Sequence, residues 1–319
     1  MITPRSLPLI PIEHYHELNA SYGEPFLFHL TNRGFFSEIN NLLNAILYGL
    51  FHRRRLAVRE DHFRGLWWSD FFSTALPAER SGDRGRIPGA WQIHGIRTHA
   101  FQTLRRFVDE RHTTGAPLAL PDLGLEASVF TLKQLLAQSF CTPIGHGGDD
   151  HQAAAIAAAL VANDLAHEPF AACHVRRGDK SEGYYSTFGK RVVEGEHTPM
   201  ATYVERIGAL APELRTLFVL TDDHAVIEEA IRETAGHRLR IVYLCPPTRA
   251  GYSNRYFTRT RREEKVEQLL EMLQEVWIAS GSQLFLGGFK SNLGRFVVLT
   301  HRQPQLCHSI DAQRIWVPL

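Results

Sequence analysis

Three short segments concentrate side chains able to hold an anion. Cys173-His174-Val175-Arg176-Arg177-Gly178-Asp179-Lys180 gathers two arginines, a lysine and a histidine at the end of an apolar run. Arginine forks match phosphate oxygens bidentately, so a diphosphate is the natural partner, and a solvated surface turn is the other reading of the same charges. Leu220-Thr221-Asp222-Asp223 ends a second run. Either aspartate can cap the helix that follows, while Thr221 would point into the same crevice as Arg176. In Gly287-Gly288-Phe289-Lys290-Ser291-Asn292-Leu293-Gly294-Arg295, paired glycines lead from a strand into a helix whose first turn offers Ser291, Asn292 and free backbone N–H groups. Orphan amides and the helix dipole favour a phosphate there. A glycine-rich turn is a weak signal alone, and three such loops from one sheet are a stronger one.

Two other clusters carry rival chemistry. Arg177-Gly178-Asp179 is the tripeptide of cell-adhesion ligands, which needs a protruding secreted loop instead of a sheet edge. His146-Gly147-Gly148-Asp149-Asp150-His151 has metal-ligating residue types, yet it precedes the alanine-rich run Ala153 to Val161 and matches no helix-borne ligand pair. Aspartates in that place read as caps, and no metal is expected.

The elements that must position these loops follow from periodicity. Phe26 to Leu30 reads as a strand, Thr31 to Gly34 as a turn, and Ile39, Leu42, Leu43, Ile46, Leu47 and Leu50 as one face of an amphipathic helix with Ser37 at its N-cap. Leu56 to Val58 resumes as a strand. From about Asp61 to Gly148 the pattern is harder to read, and Trp67, Trp68, Phe71, Phe72 and Trp91 read as packing under a long loop, with sugar stacking as the alternative. The second half alternates plainly. Strands are expected at Phe170 to Val175, Thr216 to Thr221, Leu239 to Leu244 and Gln283 to Leu286. Helices are expected at Met200 to Leu210, Ala225 to Thr234, Glu263 to Ala279 and Leu293 to Leu299. That is an α/β chain with a parallel sheet, whose ligands bind at the carboxyl ends of strands, in the loops beginning at His174, Thr221 and Gly287.

Composition bounds the partners. The 319 residues are 44% hydrophobic and 22% charged, with a formal net charge of +1, so no basic surplus exists to hold nucleic acid. Cys141, Cys173, Cys245 and Cys307 form no CxxC pair and read as buried thiols. Met1 to Asn19 lacks the pattern of a signal peptide, and no long apolar run could cross a bilayer. The expectation is a cytoplasmic protein if the chain is complete and a Golgi-lumenal one if it is a trimmed form.

The segments His174 to Lys180, Thr221-Asp222-Asp223 and Ser280 to Arg295, in that order, resemble the α-1,6-fucosyltransferase superfamily. That superfamily includes the rhizobial nodulation fucosyltransferases and, more distantly, protein O-fucosyltransferases and α-1,2-fucosyltransferases. Asn32-Arg33-Gly34-Phe35-Phe36-Ser37-Glu38-Ile39-Asn40-Asn41 is similar to the family's first glycine loop and helix. The resemblance covers the second half and part of the first.

It implies a GT-B fold of two Rossmann-like α/β domains facing a cleft, and inverting transfer of L-fucose from GDP-fucose to a glycan hydroxyl without a metal ion or other cofactor. Residues 1–168 would form the acceptor-side domain, 169–300 the GDP-sugar domain and 301–319 a tail. By position, Arg176 would neutralise the leaving diphosphate, and Arg177 would support the loop or contact the acceptor. His174, Lys180, Gly34, Thr221, Asp222, Ser291, Asn292 and Arg295 would be substrate-binding residues. The family's guanine-binding acid aligns with Glu275, whose carboxylate could accept from guanine N1–H and N2–H, although periodicity puts Glu275 on the polar face of its helix. The family's candidate base, a glutamate four residues beyond the motif lysine, is replaced here by Tyr184. Glu182 is the nearest carboxylate, with Asp179, Glu194 and Glu196 as alternatives. A nucleotide-sugar-binding protein without turnover, and a transferase of another GDP-sugar such as GDP-mannose, are the rival readings.

Overall fold

Short apolar runs bounded by turn residues become parallel strands in both halves of the chain. The computed structural model describes residues 9–60, 63–77, 91–93, 99–143, 151–178, 184–185, 191–192, 197–236 and 238–311. They fall into two compact units, Met1–Asp150 and His151–Val317.

The first unit opens with α1 (Ile12–Ser21), β1 (Pro25–His29), α2 (Phe35–His52) and β2 (Arg55–Arg59), followed by β3 (Trp91–Ile93), α3 (His99–Thr114), β4 (Leu118–Leu120), β5 (Leu125–Ala127) and α4 (Val129–Phe140). Strand β1 is the centre of a parallel sheet ordered β2-β1-β3. Helix α2 starts two residues before Ser37, and Gly34 is its N-cap; Ser37 lies inside the first turn, its N–H donating to Gly34 O at 2.9 Å. The expected single apolar face is also too narrow a description. Helix α2 packs against α3, α4, β2 and β4, so it is buried on most sides, Asn40, Asn41 and Asn44 included. Asn40 meets that burial by donating from Nδ2 to Phe36 O at 2.9 Å. The aromatic stretch is mostly core, with Trp68, Phe71 and Phe72 buried and Trp67 47% exposed.

The second unit contains α5 (His151–Ala162), β6 (Ala171–Val175), the short pair β7 (Tyr184–Tyr185) and β8 (Arg191–Val192), then α6 (Met200–Leu210), β9 (Thr216–Thr221), α7 (Ala225–Thr234) and β10 (Arg240–Val242). It ends with α8 (Asn254–Arg259), α9 (Arg262–Ser280), β11 (Leu284–Gly287), α10 (Asn292–Thr300) and β12 (Cys307–Ser309). Helix α5, which the expected boundary at 168 left with the first domain, packs on α9, and Gln274 Nε2 donates to Ala155 O at 3.1 Å. Within the expected tail, Cys307–Ser309 adds a fifth strand to the second sheet.

That sheet is parallel throughout, in the order β10-β9-β6-β11-β12. Counted in chain order its strands run 3-2-1-4-5, so the winding reverses between β6 and β11. At such a reversal the loops leaving two neighbouring strands diverge to opposite faces and open a crevice. Alternation along β6 sends Ala171, Cys173 and Val175 into a core with Met200, Tyr203, Ile207, Val226 and Ile227. Phe218 and Phe285 are fully buried, each worth about 1.5–3 kcal/mol of transfer free energy. All four cysteines are buried and free.

Candidate functional site

The reversal juxtaposes two of the three segments singled out as candidate anion sites. His174 is paired in register with Gly287, so the Arg176 loop and the glycine-rich loop leave the sheet side by side. Gly287 is required by packing: a Cβ there would lie 2.7 Å from the Phe285 ring and 3.5 Å from His174 Cβ. His174 is buried, and its Nδ1 has no hydrogen-bond partner among the described residues. Burial first, and then the Arg176 charge, push its imidazole down to about 3, so the ring is neutral at physiological pH. Arg176 itself is half-buried at the lip, its guanidinium carbon 5.8 Å over the Tyr252 ring.

Arg177 turns the other way. Its Nη2 donates to Glu229 Oε2 at 3.2 Å and Thr198 O at 3.1 Å, while Glu229 Oε1 accepts the Met200 N–H at 2.7 Å at the start of α6. Of the two roles expected for Arg177, loop support is the one this geometry performs. A cavity of about 380 Å³ beside it is lined by His197, Asp223, Glu229 and Arg232, among others.

The aspartate pair divides its work. Asp223 Oδ1 accepts the N–H of Ala225, the first residue of α7, at 3.0 Å, from one residue before the N-cap His224. Asp222 instead joins loops: Oδ1 accepts the Arg177 N–H at 2.7 Å and Oδ2 the Tyr252 N–H at 3.3 Å. Thr221 is buried, and its Oγ1 accepts the Asp223 N–H at 3.2 Å. Its hydroxyl also bonds within this turn, to Asp223 O at 3.4 Å.

The glycine-rich loop already holds an anion from its own chain. Asp311 Oδ1 accepts the Phe289 N–H at 2.7 Å, and its Oδ2 accepts the Lys290 N–H at 3.3 Å. What is left to face a ligand is the start of α10, where Ser291 is the N-cap but makes no side-chain cap bond and its buried Oγ has no hydrogen-bond partner among the described residues. Asn292 Oδ1 accepts from Arg295 Nη1 at 3.4 Å, and Arg295 Nε donates to Phe289 O at 2.6 Å. Arg295 is buried and braces the loop.

Glu275 is only 2% exposed, so the polar face inferred from helical periodicity is not a solvated one. Arg249 Nη1 stands 3.6 Å from its Oε2, and Arg249 Nη2 donates to Glu271 Oε2 at 2.5 Å. Glu275 Oε1 has no hydrogen-bond partner among the described residues. Burial pushes its carboxyl up to about 8, with Glu271 and Asp222 adding to the rise and Arg249 opposing it.

Gly34 lies in the first unit, exposed, with φ −58° and open space where a Cβ would project, so neither backbone nor packing demands a glycine. The buried Glu38 below it accepts the Thr31 N–H at 2.7 Å and holds that turn. The base candidates Asp179, Glu182, Glu194 and Glu196, together with Lys180 and the 146–150 part of the histidine-aspartate cluster, lie outside the described residues. Tyr184, where the resemblance would place a base, pairs with Val192. Among the described residues no group of three or more His, Cys, Asp and Glu could hold a metal ion, and no helix is long and apolar enough to cross a membrane.

The sequence reading missed Asp311, Tyr252 and Arg249. Each acts through a contact made only after folding; the one local signal is Gly251, whose positive φ marks the tight turn before Tyr252.

No protein-family profile matches the chain, and no curated protein sequence does. Solved structures do. POFUT1 in complex with GDP superposes with a TM-score of 0.50 at 12% identity, covering 91% of this chain and 98% of that one. An arginine-to-lysine mutant of Arabidopsis thaliana FUT1 in complex with GDP superposes with a TM-score of 0.52 at 10% identity, covering 95% of this chain and 75% of that one. The likeness is one of fold: the chain has the α/β, GT-B-like architecture of these proteins.

Proposed function

We propose that this chain is an inverting glycosyltransferase that moves L-fucose from GDP-fucose to a glycan hydroxyl without a metal ion. The observation that carries the reading is that several of the buried polar atoms lacking a hydrogen-bond partner among the described residues, His174 Nδ1, Glu275 Oε1 and Ser291 Oγ, belong to residues expected at a GDP site. An unsatisfied buried polar atom costs about 1–3 kcal/mol, so a fold keeps several where a ligand completes them. The shared fold of two GDP-bound structures, POFUT1 and FUT1, supports the same ligand. The α-1,6 type rests on the order of the sequence motifs.

The chemistry assigns the parts. Breaking the bond between the sugar and the β-phosphate leaves an oxocarbenium-like fucosyl group and places negative charge on GDP. Arg176 and the amino terminus of α10 supply positive charge at the reversal, where that charge develops. A carboxylate on the opposite face of the sugar takes the acceptor hydroxyl proton; Glu182 is the proposed base, with Asp179, Glu194 and Glu196 as alternatives. In the two-domain reading, residues 1–168, Gly34 among them, would carry the acceptor side, and the donor would lie against residues 169–300.

The replacement of the family's base by Tyr184 favours one rival, a GDP-sugar-binding protein without turnover. Calorimetry with GDP, GDP-fucose and GDP-mannose, each with and without EDTA, followed by a donor-hydrolysis assay, separates the readings. GDP-fucose binding and hydrolysis unaffected by EDTA, with hydrolysis lost and binding weakened in Arg176→Ala, is the expected result. Binding without hydrolysis or transfer establishes the rival, and absence of guanine-nucleotide binding defeats both.

A further inference from the structure

The segment between β10 and α8, residues 243–253, meets the Arg176 loop through bare backbone. A Cβ on Gly178 would lie 2.5 Å from Tyr252 O and 2.7 Å from Tyr252 N, and one on Gly251 would lie 3.0 Å from Gly178 Cα. Both glycines have left-handed φ, +67° and +80°. No side chain fits at that crossing, so the two loops are locked in register. Asp222 fastens them from a third loop, since its carboxylate accepts the Arg177 and Tyr252 N–H groups and its carbonyl accepts the Gly251 N–H at 2.9 Å. Two residues before Gly251, Arg249 anchors the segment to α9, bound to Glu271 and beside Glu275.

One side chain at the crossing reaches the arginine that the proposed mechanism depends on. The Arg176 guanidinium lies 5.8 Å over the Tyr252 ring, within the range of cation–π attraction. A long arginine side chain loses much rotamer freedom when it is fixed, and a planar guanidinium is well matched to an aromatic face. We infer that Tyr252 is a positioning residue for Arg176: its ring is the shelf that holds the guanidinium toward the β6–β11 reversal, so that the cation is in place before the diphosphate arrives. The inference rests on the proposed GDP-sugar reading.

The test uses the full chain and GDP as the probe, with GDP affinity measured by calorimetry for wild type, Tyr252→Phe, Tyr252→Leu and Tyr252→Ala. Phenylalanine keeps the ring and should bind as wild type does. Leucine keeps apolar bulk without a π face, and it should weaken GDP by about fivefold, as should alanine. In an Arg176→Ala background the same replacements should cost nothing further, because the shelf has no cation to hold. A merely structural role would weaken binding equally with and without Arg176. Unchanged affinity in Tyr252→Leu and Tyr252→Ala, or losses that add fully to that of Arg176→Ala, overturns the inference while wild-type binding leaves the donor reading standing. A wild type that binds no GDP overturns the donor reading and this inference with it.

Discussion

Asp311 Oδ1 sits 2.7 Å from the backbone nitrogen of Phe289, so the tightest turn of the glycine-rich loop is neutralised by the protein's own carboxylate. A Cβ on Gly288 would stand 2.9 Å from the same side chain, which explains the glycine without invoking a ligand. Ser309 Oγ lies 3.0 Å from Asp311 Oδ1 and fixes its direction. The loop is therefore built around Asp311, and the start of α10 is the part of it left for a ligand.

Asp311→Ala should then destabilise the second unit. It strands the Phe289 and Lys290 amides and removes charge-assisted bonds, a loss of about 1–3 kcal/mol. Asp311→Asn keeps one acceptor oxygen and should recover part of the loss. Thermal denaturation of the two variants checks this, and an alanine variant as stable as wild type would show that the loop needs no internal anion.

Adjacent arginines should separate stability from binding. Arg177 is held by Glu229 and Thr198 O with its side chain about 10% exposed, whereas Arg176 lies at the lip of the reversal. Arg177→Met leaves Glu229 and a carbonyl without their donor, which should cost about 1–3 kcal/mol of stability. Arg176→Ala should leave the melting temperature near that of wild type and weaken GDP binding to a lower but still measurable affinity. The comparison fails if Arg177→Met melts with wild type while its nucleotide affinity collapses.

The second sheet was legible because its strands are short, apolar and separated by helices with clear 3.6-residue periodicity. Met200–Leu210, Thr216–Thr221 and Ala225–Thr234 form where the pattern placed them. Helix α2 was legible as a helix but not in its burial, since Asn40, Asn41 and Asn44 look solvated until α3 and α4 cover them. The strand Cys307–Ser309 is too brief for periodicity and exists by pairing with Phe285–Gly287. In the site, residue type identified the cations and carboxylates but not their direction. Arg176 and Arg177 are neighbours with the same chemistry, and only the position of Glu229 on α7 decides which one turns inward. Asp311 gave no signal because its partners are backbone amides, which every sequence has.

Glu275 makes the site sensitive to pH. Burial raises its carboxyl to about 8; it is faced by Arg249 from the loop after β10, Glu271 from its own helix and Asp222 from the end of β9. The unfolded chain releases this proton near the ordinary glutamate value, so between about pH 5 and pH 8 the folded state binds more protons than the unfolded one. Stability should accordingly fall as pH rises through that window and level off above it, and Glu275→Gln should flatten this part of the profile. If guanine is held by the ionised carboxylate, its N1–H and N2–H donors draw the proton off. GDP should then bind more tightly at pH 8 than at pH 6 and release a proton as it binds, seen as a dependence of the calorimetric heat on the buffer's ionisation enthalpy. Identical stability profiles for wild type and Glu275→Gln would show that the carboxyl does not titrate in this range. Proton release that persists in Glu275→Gln would assign it to another group.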